Sequence, residues 1–240
     1  MGKRSDTIAG EIKKWIVEKN LQSGHRLPQE KELTEHFGSA KSTVREAIKV
    51  LEAQGLVITK TGPGGGAFVT EMSQDKAISL LSNFFYFNTL TIKDIYQIRI
   101  QLEPEMAASL CGGLTPEDFK RLKKTITIYS SPAATQEEEY QQRLNELMFH
   151  DCLADLCPNP LLSFVCKFML NLLKNLEFCH KIYQKPNPEL FDTGRYYQIT
   201  LYDALEQEDI EMVKQLMREH MLAAEKIMLT RERELNGRLE

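Results

Sequence analysis

The stretch Lys41-Ser42-Thr43-Val44-Arg45-Glu46-Ala47-Ile48-Lys49-Val50-Leu51-Glu52-Ala53-Gln54-Gly55-Leu56-Val57-Ile58-Thr59-Lys60-Thr61-Gly62-Pro63-Gly64-Gly65-Gly66-Ala67-Phe68-Val69-Thr70 changes its apolar period halfway, and that change decides the N-terminal fold. Up to Gln54, the residues Val44, Ala47, Ile48 and Leu51 recur at spacings of three and four, which predicts a helix over about 41–54 closed by Gly55 as a left-handed cap. Beyond it, Leu56-Val57-Ile58-Thr59 and Ala67-Phe68-Val69-Thr70 are β-branched runs around a glycine-rich turn, the pattern of a hairpin.

Upstream, Glu30 to Phe37 reads as a short helix stopped by Gly38. Ile8, Ile12, Trp15 and Ile16 form the apolar stripe of a first helix, with Lys13, Lys14 and Glu18 between them and a break at Ser23-Gly24-His25 and Pro28. Three helices joined by glycine-containing turns suggest helix-turn-helix, and the hairpin makes it a winged helix. The glycines Gly64, Gly65 and Gly66 are not a nucleotide loop, because that chemistry needs a helix after the loop and here a strand follows. Two readings stay open: a purely structural turn, or a wing whose bare backbone approaches a DNA groove while Lys60 meets a phosphate.

The whole chain has 240 residues, 42% apolar and 27% charged, which suits two modest soluble domains and excludes collagen-like or globally disordered chains. The longest apolar stretch, Leu161 to Leu176, is broken by Lys167, Asn171 and Lys174 and falls short of the ~18 residues of a membrane span. The start of the chain leads into an amphipathic segment rather than an apolar signal core, so a cytoplasmic location is expected. The five cysteines, Cys111, Cys152, Cys157, Cys166 and Cys179, lie among apolar neighbours and read as reduced, buried thiols. Residues 1–72 carry 11 Lys and Arg against 9 Asp and Glu, whereas the remainder carries 19 against 25. That asymmetry suits an N-terminal half facing phosphates and a C-terminal half facing something else.

Leu27-Pro28-Gln29-Glu30-Lys31-Glu32-Leu33, Ser42-Thr43-Val44-Arg45-Glu46-Ala47-Ile48, Leu51-Glu52-Ala53-Gln54-Gly55-Leu56-Val57 and Gly64-Gly65-Gly66-Ala67-Phe68-Val69 together resemble the GntR family of bacterial transcription regulators. The resemblance runs from Ile8 to Thr70 and implies a double-stranded operator as partner. The DNA readers it implies are Lys31, Lys41, Thr43, Arg45 and the wing glycines Gly64, Gly65 and Gly66, and Ser42 and Lys60 are expected to join them as DNA contacts. Where the family usually has arginine, this chain has Lys31 and Lys41, and a lysine offers a point charge instead of the bidentate fork that reads guanine. An operator that departs from the family consensus is therefore expected. Gln29 and Ala40 stand where the family usually places serine caps, so blurred starts are expected for both short helices.

From Ser73 onward strand patterns vanish, and helices are predicted near 74–88, 91–111, 115–130, 136–156, 160–183, 191–207 and 209–230. Thr91, Thr115 and Asp209 read as N-caps. The expected fold is mostly α: a winged helix-turn-helix over 1–72, an all-helical domain over 73–230 and a polar tail over 231–240. Arg99, His150, Gln198 and His220 stand on stripes that are otherwise apolar, so each points inward, and Glu146 lies one helical turn before His150. Polar residues turned inward on several helices favour a shared polar cavity. His180, Tyr183, Tyr196 and Tyr197 are open between cavity and surface.

The order Arg99, Glu146-Leu147-Met148-Phe149-His150, Asn159-Pro160-Leu161-Leu162, Asp203-Ala204 and Met217-Arg218-Glu219-His220 resembles the FCD ligand-sensing domain of the fatty-acid-regulator-like GntR subfamily, over about residues 75–230. The resemblance implies an effector site of Arg99, Glu146, His150, Gln198 and His220, with one divalent metal ion, zinc, nickel or manganese, on Glu146, His150 and His220. Glutamate replaces the usual aspartate and Gln198 a histidine; glutamine is a poor zinc ligand, which leaves a hard ion bound by oxygens as the alternative. A carboxylate effector drawing the helices together and a homodimer on a palindromic operator are expected, with repression the family's commoner habit. A metal-free cavity for an acyl chain is the alternative within the class. A helical-bundle metalloenzyme is disfavoured, since one Glu-x-x-x-His occurs where a di-iron site needs two Glu-x-x-His motifs and further carboxylates.

Overall fold

A computed structural model describes residues 3–85, 88, 90–127, 135–183 and 188–236. The chain divides into two compact units, Met1–Ala77 and Ile78–Glu240. The first holds α1 (Arg4–Glu18), α2 (Glu30–Phe37), α3 (Lys41–Ala53), β1 (Val57–Lys60) and β2 (Gly66–Val69). Ile8 and Ile12 of α1, Leu33 and Phe37 of α2, and Val44, Ala47 and Leu51 of α3 close on Val57 and Val69 to make one small core. Ile48, expected inside, is only half-buried. Both glycine stops are left-handed, Gly38 at φ 53° and Gly55 at φ 70°, a region that residues with a Cβ enter at a cost.

The two short helices start sharply despite their unusual caps. The Glu32 carboxylate accepts the Gln29 backbone N–H at 2.7 Å, one half of a capping box. At α3, where Ala40 offers no side chain, its carbonyl accepts from Thr43 and Val44 at 2.9 and 3.1 Å. β1 and β2 pair antiparallel with Val57 opposite Val69 and Lys60 opposite Gly66. The segment before α2 joins them: Leu27 N–H donates to the Ala67 carbonyl and Val69 N–H to the His25 carbonyl, each at 2.8 Å. The wing therefore leaves from a sheet edge that is already covered.

After α4 (Gln74–Phe85), which starts just before the boundary between the units, helix is the only regular secondary structure among the described residues of the second unit: α5 (Ile92–Ala108), α6 (Pro116–Thr127), α7 (Gln136–Leu156), α8 (Pro160–Asn175), α9 (Glu177–Tyr183), α10 (Pro188–Glu206) and α11 (Ile210–Asn236). Thr91 and Thr115 accept backbone N–H groups three residues on, each at 3.2 Å, and Asp209 accepts from Met212 at 3.0 Å. α5 ends at Ala108, short of the expected 111, because the chain tightens into three-residue turns before Gly112 at φ 74°. Residues 86, 87 and 128–130, the expected ends of the first and third helices here, lie outside the described residues.

The single helix expected over 160–183 is two. Leu176 adopts ψ 131°, outside the helical region, and separates α8 from α9. Asn175 turns its amide to the Asn171 carbonyl at 2.9 Å, a side-chain bond that competes with the backbone ladder, and no proline or glycine in the sequence marks the break. α10 starts earlier than expected, with Pro188 in its first position, where a missing N–H costs nothing. α11 continues to Asn236, into the stretch expected as a polar tail, since Leu235 still packs on the core and Arg231 pairs with Glu234 at 2.8 Å. Cys152, Cys166 and Cys179 are buried, whereas Cys111 and Cys157 are only half-buried; all five are free thiols. Burial pushes the Cys166 thiol up to about 12, so it stays protonated and unreactive. Among the described residues no helix is long and apolar enough to cross a membrane.

Candidate functional site

In the first unit, the start of α3 presents Lys41, Ser42 and Arg45 to solvent, with Thr43 half-buried. The Arg45 guanidinium donates to the Glu30 carboxylate at 2.7 Å, while two thirds of its side chain stays exposed. Glu30 thus holds the guanidinium out from the helix and, by that bond, keeps it firmly protonated. Lys31 is exposed, 3.9 Å from Glu35. A groove of about 450 Å³ runs between α3 and the hairpin, lined by Arg26, Glu30, Arg45, Lys49, Thr59 and Gly66 among others. Arg26 and Lys49 were not foreseen; both are exposed cations that interrupt no apolar pattern.

The wing glycines have a backbone reason. Gly64 and Gly66 take φ 79° and 147°, and a Cβ on Gly65 would stand 2.5 Å from the Lys60 carbonyl. The structural reading of this turn therefore holds, and it does not compete with the wing reading. Lys60 places its ammonium 4.9 Å from the centre of the Phe68 ring, and Arg26 lies 5.9 Å from the same centre while donating to the Gly65 carbonyl. Phe68 is a shared apolar rest for two cations at the base of the wing.

In the second unit, Arg99, His150, Gln198 and His220 are all buried, as their places on apolar stripes require, and Glu146 with them. Two charged residues that the sequence reading missed complete the group: Glu103, fully buried one turn after Arg99, and Arg143, three residues before Glu146 and 2% exposed. Charged residues are so rarely buried that only the one-turn spacing to Arg99 and Glu146 could have marked them. Arg99 donates to Glu103, whose other oxygen bonds His150 Nδ1 at 2.6 Å. Burial alone would raise the Glu103 carboxyl, but Arg99 and His150 outweigh it and hold it near 2. An ionised Glu103 fixes a proton on His150 Nδ1 and turns Nε2 toward His220 Nε2, 3.2 Å away. His220 is held neutral by burial first, then by His150 and Arg99, and its Nδ1 has no hydrogen-bond partner among the described residues.

Arg143 donates to Glu146 at 2.7 Å, and Gln198 Nε2 donates to the Glu146 backbone carbonyl at 3.2 Å. Burial raises the Glu146 carboxyl against the pull of Arg143, His150 and Arg99. Gly194 of α10 makes room for this longer acid, since a Cβ there would overlap Glu146 Oε1. Tyr197 lays its ring 5.1 Å from that of His220, Tyr196 is exposed, and His180 packs edge-on against Tyr140. The side chain of Tyr183 lies outside the described residues.

The expected metal set was Glu146, His150 and His220, with Gln198 the poor ligand. Two imidazole nitrogens on one tetrahedral zinc stand about 3.3 Å apart, so the His150–His220 pair has suitable spacing. The other two donors do not follow. Glu146 is taken by Arg143, Gln198 faces a backbone carbonyl, and among the described residues no group of three His, Cys, Asp or Glu side chains could hold a metal ion. In this arrangement the Glu146 carboxylate and the Gln198 amide nitrogen are both engaged by the protein's own groups. Tyr96, Arg99, Arg143, Glu146, His150 and His220 surround a space of about 10 Å³, room for about one water. The site is closed by its own ion pairs, where a wet cavity that ligand draws shut had been expected.

Residues 4–69 match the profile of the family described as bacterial regulatory proteins, gntR family, and residues 94–223 match that of the FCD domain. The "Glc operon transcriptional activator" of Escherichia coli (strain K12) is 24% identical over 228 residues, covering 92% of this chain and 87% of that protein. The "HTH-type transcriptional repressor NanR" of Cronobacter sakazakii is 26% identical over 225 residues, covering 91% and 83%. Among solved structures, Streptococcus agalactiae GntR superposes with a TM-score of 0.58 at 17% identity, covering 92% of this chain and 99% of that one. That likeness concerns the fold.

Proposed function

Since this chain belongs to the GntR family, with an FCD domain behind its winged helix, and is a DNA-binding transcriptional regulator, not an enzyme, we propose that a small organic acid bound in the helical unit controls its hold on an operator. The observation that carries this reading is Arg99: a fully buried guanidinium on α5 that meets a carboxylate beside two stacked imidazoles. Such a group is costly to bury for packing alone and suits recognition of a carboxylate by a two-pronged bond. Small hydroxy acids and sugar acids fit it better than neutral sugars.

The closed cavity supplies the coupling. Space for about one water admits no organic acid, so binding must part helices that hydrogen bonds between them now join. Those bonds tie α5 to α7 through Glu103 and His150, and α7 to α11 through His150 and His220. A ligand that the guanidinium binds better in the parted state favours that state by the difference in affinity.

We further propose repression as the output, a palindromic operator, a homodimer and a cytoplasmic site of action. Leu80, Leu81 and Phe84 of α4 leave large apolar surface in solvent, which suits a partner copy. A thermal-shift screen of small acids on the wild type and Arg99→Ala tests the effector reading. Stabilisation by an acid in the wild type and none in the variant supports it. Stabilisation only by long acyl chains, untouched by Arg99→Ala, refutes it in favour of an apolar effector.

A further inference from the structure

Arg143 is the second buried guanidinium in a site whose donors no longer suit a metal. It shares the cavity wall with Arg99, reaches it from a different helix, and engages the one carboxylate that the metal reading needed. Gln198 has left the ligand set to brace the Glu146 backbone, and Gly194 clears the space into which the Glu146 side chain extends. These arrangements are mutually consistent: the cation at this end of the cavity is supplied by the chain itself. Glu146 then plays the part of a resident carboxylate on Arg143, as Glu103 does on Arg99.

We propose that this site takes a small dicarboxylate without a metal ion, one carboxylate on Arg99 and the other on Arg143, the ligand displacing Glu146 from Arg143. The inference rests on the organic-acid reading above and narrows it to a dianion on a short carbon skeleton. Glu103 stays in place because it is bonded on both sides, by Arg99 and by His150, whereas among the described residues the Glu146 carboxylate has its bond to Arg143 alone to give up. A monocarboxylate can satisfy one guanidinium but leaves Glu146 where it is. A planar fork on each side also sets a distance between the two acid groups, so chain length should matter.

The test uses full-length protein dialysed against EDTA and titrated calorimetrically with succinate, malate, propionate and lactate. The expected result is at least about tenfold tighter binding of the dicarboxylate in each pair, unchanged by EDTA. Arg143→Met leaves an unpaired buried acid, so the informative variant is Arg143→Met with Glu146→Gln, which removes both charges together. It should lose the preference and bind propionate and succinate alike. Equal affinities in the wild type, a preference that survives in the double variant, or binding that appears only with added Zn²⁺ or Mn²⁺ would each overturn the proposal while leaving the organic-acid reading standing. Failure of all four acids to bind would overturn both.

Discussion

Arg45, which we propose as a base reader, stands exposed near the start of α3 with its guanidinium steadied by Glu30, an arrangement that would keep the ordering cost of that contact small. Arg45→Ala should cost roughly 1–3 kcal/mol against the native operator and relax selection at one base pair, seen by competition with operators altered at single positions. Lys60→Ala should instead weaken all sequences alike and flatten the salt dependence by about one unit, measured as affinity against salt concentration. Gly65→Ala must displace the Lys60 carbonyl or the turn itself, so it should weaken operator binding while the melting of the helical unit is unchanged. Arg99, His150, Gln198 and His220 were legible because each interrupts an apolar stripe. Glu103 and Arg143 were not, because a buried charge looks in sequence like any solvated one. The closure of the site follows from those two residues and was hidden with them.

Elements were most legible where a turn residue punctuates them. Gly38 and Gly55 bound α2 and α3, and both helices lie where their periodicity puts them. The split at Leu176 has neither proline nor glycine to announce it, and the extension of α11 follows from tertiary packing of Leu235 rather than from local pattern. That last turn gives a prediction. Ending the chain after Thr230 removes the half-buried Leu235 and should destabilise the helical unit by on the order of 1 kcal/mol. Its melting temperature should fall by roughly 2–4 °C, checked by calorimetry, and an unchanged value would mean that α11 contributes nothing past 230.

For the whole molecule, two winged helices on one palindrome gain affinity through effective concentration, and a lone one buries little DNA. Phe84→Glu, placed on the apolar face of α4, should shift sedimentation toward monomer and lower operator affinity together. A variant that stays dimeric would exclude α4 from the interface. We propose that the two units are linked, an acid read by Arg99 governing the hold of α3 on DNA. The most direct test of that link is the affinity of full-length protein for a genomic fragment it selects, measured by fluorescence anisotropy with and without the acid that stabilises it. Sequence-specific binding should change with the acid in the wild type and stay unchanged in Arg99→Ala. Specific binding that is identical with and without that acid in the wild type would contradict it.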